Sequence, residues 1–208
     1  MKNRNFGGLV VALVALVFFA LLAHAVMQGH ATAFDAAVRN AVHTSSSPEL
    51  TYVMQGISDL GASAFLVVLG LIIGWRLMSQ GRRPQVVFLA TAALGAEVID
   101  QALKFWFQRP RPEVFFGLQP LNYSFPSGHA MVSYCFYLAV AEILSDEQWS
   151  RSRRLAVWAL AMLITGLIGL SRIYLGVHYP TDVLGGYAVA IAWLAIVRVS
   201  HVVWQGKL

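Results

Sequence analysis

Six long apolar stretches constrain the fold of this chain more than any other feature of its sequence. They span residues 7–27, 61–78, 85–106, 128–144, 155–174 and 183–203. A helix of about 20 apolar residues crosses the ~30 Å hydrocarbon core of a bilayer. Only 12% of the residues are charged, whereas soluble domains carry about a quarter. The sequence therefore predicts an all-α integral membrane protein, a six-transmembrane-helix bundle that forms a single domain over residues 1–208.

The basic residues predict the orientation of these helices and argue against a nucleic-acid partner. With the N-terminus inside, the inner loops carry most of the positive charge, including Arg82, Arg83 and the arginines within residues 151–154, as the positive-inside rule expects. The net charge is +5, but the basic residues flank the apolar stretches instead of forming a stripe. Nucleic-acid binding is therefore not predicted. The small residues Ala23 and Ala25 leave a cleaved signal peptide open as an alternative for the first stretch.

The outer segment, residues 28–60, is predicted to contain a short amphipathic helix. Apolar side chains recur there at helical spacing, among them Phe34, Val38 and Val42. Such a helix would lie on the membrane interface or over the bundle. The sequence predicts no chemistry for this segment.

Most of the unusual polarity falls in three further segments, which the helix count places together on the outer face. These segments are residues 104–112, 126–129 and 171–182. They contribute three cations, Lys104, Arg111 and Arg172. Arginine matches phosphate oxygens with two donors and lysine adds a point charge, so the three could surround one phosphate. Asp100, four residues before Lys104, is expected to orient it or to pair with another span.

The Pro-Ser-Gly-His sequence at residues 126–129 adds neutral donors to these cations. Pro126 stops any helix that arrives from upstream, and Ser127 is a natural N-cap. The Ser127 hydroxyl and the N–H groups of Gly128 and His129 would then face an anion at a helix N-terminus. The His129 side chain can also donate or accept a proton near neutral pH.

A second histidine, His178, is paired with a carboxylate. Asp182 follows it by four residues, across a proline that is expected at the first position of the last helix. Asp182 can hold one nitrogen of His178 and leave the other unprotonated for attack. Each polar residue alone could be a headgroup anchor or a helix cap. Their combination on one face favours a site that binds and transfers phosphate.

These residues resemble the signature of the type-2 phosphatidic acid phosphatase superfamily. Its pattern is Lys-x6-Arg-Pro, then Pro-Ser-Gly-His, then Ser-Arg-x5-His-x3-Asp. This chain carries the three parts at residues 104–112, 126–129 and 171–182, and every spacing matches. Arg109 does not fit the first spacing and is an accessory candidate only.

The resemblance implies a metal-independent phosphatase without a cofactor. His178 would attack phosphorus and form a phosphohistidine, and Asp182 would orient it. His129 would protonate the leaving oxygen and then activate water. The phosphoryl oxygens would be held by Lys104, Arg111, Ser127, Gly128 and Arg172.

The expected partners are membrane lipids and a lipid phosphate substrate, hydrolysed at the outer leaflet. Undecaprenyl diphosphate is favoured, in a bacterial inner membrane with the site on the periplasmic face, and phosphatidylglycerophosphate and phosphatidic acid are alternatives. A lipid phosphotransferase and a non-catalytic protein that binds or transports lipid phosphates also remain open. His129, His178 and Asp182 argue against the last, because binding alone needs only the cations. The sequence predicts no oligomeric state.

Overall fold

The computed structural model describes residues 2–118, 120–145 and 149–205, and in these ranges the chain forms α-helices and no β-strand. Each predicted apolar stretch overlaps one helix, so the all-α prediction is confirmed. The helices are α1 Lys2–Met27, α2 Thr32–Thr44, α3 Pro48–Asp59, α4 Ser63–Ser79, α5 Arg83–Phe107, α6 Gly128–Leu144, α7 Arg151–Tyr174 and α8 Pro180–Gln205.

The α6 helix is the centre of the bundle. It packs against α4, α5, α7 and α8. Residues on every side of it are buried, including Met131, Val132, Phe136 and Leu138, as expected of a helix that is apolar all round. Its first residue, Gly128, lies beside the last turn of α5. The start of α6 therefore comes close to the polar segments singled out by the sequence.

Among the described helices, α1, α5, α7 and α8 are long and apolar enough to cross a membrane. The pair α3 and α4, bent by 48°, would add a fifth span, while α6 is a shorter apolar helix. Large apolar side chains such as Leu13, Leu71 and Val98 are exposed on the bundle surface, where lipid would cover them. The chain is an integral membrane protein, but the predicted count of six spans is not confirmed.

The outer segment forms two helices, α2 and α3, where the sequence predicted one. Helix α2 packs against α7 and α8, and α3 packs against α7. The start of helix α3 has a local cause, because Pro48 is its first residue and the hydroxyl of Ser47 accepts from the N–H of Leu50 at 3.1 Å. Each helix buries a polar side chain, Asp35 in α2 and Ser58 in α3.

Candidate active site

Lys104 lies in the last turn of α5, where a carboxylate one turn earlier holds its ammonium group. Nζ of Lys104 donates to Oδ2 of Asp100 at 2.5 Å. Both residues are buried, and a buried pair is costly to separate because either charge alone would be left uncompensated. Asp100 therefore fixes the Lys104 ammonium, which is one of the two roles predicted for it.

Because Gly128 has no side chain, the Asp100–Lys104 pair can lie directly against it. A Cβ atom on residue 128 would lie 2.7 Å from Oδ2 of Asp100 and 2.9 Å from Nζ of Lys104. Both distances are shorter than a van der Waals contact. The glycine of the second motif therefore allows the α6 N-terminus to approach the ammonium group.

Replacing Gly128 by alanine is expected to lower kcat/KM by about 10- to 100-fold, since a displacement of the Lys104 ammonium by ~1 Å has effects of this size. Gly166→Ala is the matched control, because a Cβ there meets nothing within 4 Å. Steady-state kinetics of the two variants tests this, and equal activity would contradict the steric role of Gly128.

Ser127 joins the start of α6 to the start of α8. Its N–H donates to the carbonyl oxygen of Asp182 at 2.9 Å. It occupies the predicted N-cap position, but its hydroxyl makes no capping hydrogen bond to the helix. Oγ of Ser127 is buried and has no hydrogen-bond partner in the described part of the chain. The hydroxyl is therefore available to a ligand.

Arg111 lies in the segment between α5 and α6, where its guanidinium is held from several sides. Nε donates to the carbonyl oxygen of Asn122 at 2.8 Å, and Nη2 donates to Oδ1 of Asn122 at 2.6 Å. Nη1 donates to the carbonyl oxygen of Val177 at 2.7 Å and lies 3.1 Å from Nε2 of His178. Because arginine only donates, Nε2 of His178 is the acceptor.

Arg172 lies in the last turn of α7, and the outer segment positions it. Its Nη1 donates to the hydroxyl of Ser58, a buried residue of α3. Nε of Arg172 is buried and has no partner among the residues that the structure describes. The guanidinium is thus anchored at one nitrogen and unsatisfied at another.

His178 and Asp182 lie together, as their spacing predicted. Nδ1 of His178 is 3.3 Å from Oδ2 of Asp182, which also accepts from the N–H of Tyr179 at 2.9 Å. Since Nε2 accepts from Arg111, the neutral ring carries its proton on Nδ1 and donates it to Asp182. Nε2 is then the unprotonated nitrogen, which is the one able to attack.

The turn that carries His178 depends on Gly176. This glycine has φ of +78°, a conformation that glycine adopts without strain. A Cβ there would lie 2.5 Å from the backbone nitrogen of Phe115. The turn therefore brings the segment between α5 and α6 against the end of α7.

The surroundings of His178 favour its neutral form. Burial lowers the pKa of the imidazole well below its usual value, and the charges of Arg111, Arg172 and Lys104 lower it further. The three predicted cations therefore act on one imidazole, which is neutral at pH 7. His129, in the first turn of α6, lies within the influence of the same charges.

Two residues that the sequence analysis did not assign to the site contact it, Arg109 and Ser58, and a third, Asp35, contacts Arg109. Arg109, an accessory candidate only, donates from Nη1 to Oδ1 of Asp182 at 2.6 Å. Asp35 and Ser58 come from the outer segment, for which no chemistry was predicted. Asp35 lies three and seven residues before Val38 and Val42, on the same helix face, and a carboxylate on that apolar face was the available signal. Nothing in the sequence marks Ser58.

Comparison with known families and proteins finds similarity to phosphatases of one superfamily. A sequence model described as the PAP2 superfamily matches residues 85–205, which include the predicted site residues but not α1–α4. Phosphatidylglycerophosphatase B of Bacillus subtilis is 34% identical over 88% of this chain and 90% of its own length. Undecaprenyl-diphosphatase BcrC of Bacillus subtilis is 30% identical over 68% of this chain and 70% of its own.

A solved structure is similar over nearly the whole chain. It is the crystal structure of a transmembrane PAP2 type phosphatidylglycerolphosphate phosphatase from Bacillus subtilis, with a TM-score of 0.86 and 31% sequence identity. The similarity covers 95% of this chain and 97% of that one. It therefore extends to helices that precede the matched region of the family model.

Proposed function

The chain belongs to the PAP2 superfamily, and on this premise we propose that it removes a terminal phosphate from a lipid through a phosphohistidine on His178. The observation that carries the proposal is the arrangement around this residue. Its Nδ1 faces Asp182 at 3.3 Å and its Nε2 faces Arg111 at 3.1 Å. The same imidazole lies within the influence of Lys104 and Arg172.

A phosphoryl group would satisfy two buried donors on residues of the second and third motifs. The Oγ of Ser127 and the Nε of Arg172 are both buried without partners in the described residues. Unsatisfied buried donors are costly, and phosphoryl oxygens would accept from both. The N–H groups at the start of α6, at Gly128 and His129, would donate to the same phosphoryl oxygens.

The reaction would proceed in two displacements at phosphorus. Nε2 of His178 forms a bond to phosphorus as the bond to the leaving oxygen breaks, and His129 gives this oxygen a proton. Asp182 stabilises the positive charge that develops on the ring of His178. Water then attacks the phosphohistidine and gives a proton to His129, which releases phosphate and restores both histidines. The cations stabilise the transferred group throughout.

Phosphatidylglycerophosphate is the first substrate to test. The relative and the solved structure that are similar over most of this chain carry that activity in their names. Undecaprenyl diphosphate, favoured by the sequence analysis, is the second candidate, supported by the similarity to a named undecaprenyl-diphosphatase.

The proposed membrane arrangement has six spans, with the N-terminus inside and the site on the outer face of a bacterial inner membrane. The bent pair of α3 and α4 and the short helix α6 would complete the count. A lipid whose phosphate lies at the interface could then reach the site with its chains in the bilayer.

Purified protein in detergent is expected to release phosphate from phosphatidylglycerophosphate with EDTA present, because its own cations stabilise the phosphoryl group. Undecaprenyl diphosphate and phosphatidic acid, assayed in parallel, rank the substrates by kcat/KM. Adding lipid A as an acceptor separates hydrolysis from phosphotransfer. Binding of these lipids without phosphate release would favour a non-catalytic protein, and a requirement for added metal would contradict the mechanism.

A further inference from the structure

The side of Asp182 that faces away from His178 is held by Arg109, which lies just after α5. Nη1 of Arg109 donates to Oδ1 of Asp182 at 2.6 Å, and Nη2 donates to Oδ2 of Asp35 at 2.7 Å. The guanidinium also lies over the ring of Tyr179, 4.0 Å from its centroid. One cation therefore bridges two carboxylates from opposite ends of the chain.

Asp35 binds Arg109 and also binds the first turn of α8. Its Oδ1 accepts from the N–H of Thr181 at 3.0 Å, and its Oδ2 accepts from the Thr181 hydroxyl at 2.7 Å. The N–H groups of a first helical turn have no partner within their own helix, and a carboxylate at this end is also favoured by the helix dipole. Asp35 thereby anchors α2 to the residue that immediately precedes Asp182.

These bonds leave the Asp182 carboxylate a single orientation. Its Oδ1 accepts from Nη1 of Arg109, while its Oδ2 accepts from the N–H of Tyr179 and from Nδ1 of His178. Asp35 and Asp182 are both almost fully buried, at 1% and 0% exposure, so separating either from Arg109 would be costly. A rotation of the carboxylate would break every one of its bonds.

We propose that Arg109 and Asp35 are positioning residues for the nucleophile, in a connected series Asp35–Arg109–Asp182–His178. The proposal rests on the phosphatase function proposed above. It adds a residue of the outer segment, Asp35, which lies outside the region matched by the family model. Both terminal nitrogens of Arg109 are engaged by this network, whereas Arg111 contacts the attacking imidazole itself. The series should therefore affect phosphoryl transfer and leave phosphate binding almost unchanged.

Kinetics of Arg109→Gln and Asp35→Asn with phosphatidylglycerophosphate would test this. We expect kcat to fall roughly 100-fold in Arg109→Gln and about 10-fold in Asp35→Asn, by analogy with the 10- to 100-fold losses when residues that orient metal ligands are replaced. KM should change by no more than about twofold, because the phosphate contacts remain. Arg109→Lys should recover part of the loss, since an ammonium keeps the charge but cannot reproduce both bonds. The double variant should lose less than the product of the single effects, because the residues act as a unit.

Arg39→Gln is the matched control. Arg39 also lies over the ring of Tyr179, 5.4 Å from its centroid, but it donates to the carbonyl oxygen of Glu113 and contacts neither carboxylate. The kcat of Arg39→Gln should equal that of the wild type. All rates are normalised to folded protein measured by gel filtration, and if Arg109→Gln is not recovered folded, Arg109→Lys and Asp35→Asn carry the test.

Three outcomes would overturn the positioning role while the phosphatase function stands. They are a wild-type kcat in folded Arg109→Gln and Asp35→Asn, a rise in KM at unchanged kcat, and an equal loss in Arg39→Gln. The second would make Arg109 a substrate ligand. A wild-type protein that releases no phosphate from any lipid tested would contradict the proposed function itself, and the positioning role with it.

Discussion

His178→Ala is expected to reduce phosphate release from lipid substrates by at least about 100,000-fold, the size of effect seen when a catalytic nucleophile is removed. The Nε2 atom that accepts from Arg111 is the nitrogen that would bond to phosphorus. Lipid binding should survive, because Lys104, Arg111 and Arg172 remain. The measurement is steady-state phosphate release together with direct binding of dioleoyl phosphatidylglycerophosphate to the detergent-solubilised variant.

His30→Ala is a suitable control for this substitution. His30 is exposed in the turn between α1 and α2 and is not one of the site residues, so its variant should retain wild-type kinetics. Activity of His178→Ala within about tenfold of the wild type would show that another group attacks phosphorus.

Asp182→Asn is expected to lower kcat by roughly 1,000- to 10,000-fold, as replacement of the orienting carboxylate does in hydrolytic triads. The carboxylate accepts from Arg109 on one oxygen, and from Tyr179 and His178 on the other. An amide has only one oxygen. If this oxygen faces Arg109, the NH₂ group faces His178 and forces the ring proton onto Nε2. If the oxygen faces His178 instead, the NH₂ group faces the guanidinium of Arg109, and two donors then meet without an acceptor.

The control for Asp182→Asn is Glu113→Gln, which also removes a negative charge, from the segment between α5 and α6, but at an exposed position. Its kcat should be unchanged. A kcat for folded Asp182→Asn within about tenfold of the wild type would contradict the tautomer assigned to His178.

The cluster of site residues could be predicted because fixed spacings encode its local geometry. His178 and Asp182 are four positions apart, as are Asp100 and Lys104, and in both pairs this spacing lets the side chains meet. The apolar stretches also indicated the helices, because a helix that crosses lipid requires a long run of apolar residues. Family membership, inferred from the three motifs, is confirmed by the matching family model.

Contacts between distant segments could not be predicted. Asp35 meets Arg109 and Thr181 across more than 70 residues of sequence, and no short-range pattern reports such a contact. Ser58 reaches Arg172 in the same way. The count of six spans stays a prediction, because an apolar run does not reveal a bend such as that between α3 and α4. Ser127 occupies the N-cap position that the sequence predicted, but whether its hydroxyl also bonds to the helix depends on tertiary surroundings.

Trapping the covalent intermediate on His178 is the most direct test of the proposed mechanism. In His129→Ala, a substrate with a good leaving group, ³²P-labelled p-nitrophenyl phosphate, needs no proton donor for the first step, but the second step lacks the group that activates water. We expect a burst of about one p-nitrophenol per protein and an alkali-stable label on the peptide that contains His178, absent when His178 is also replaced. Turnover without a burst or label, or a label on another residue, would contradict the account.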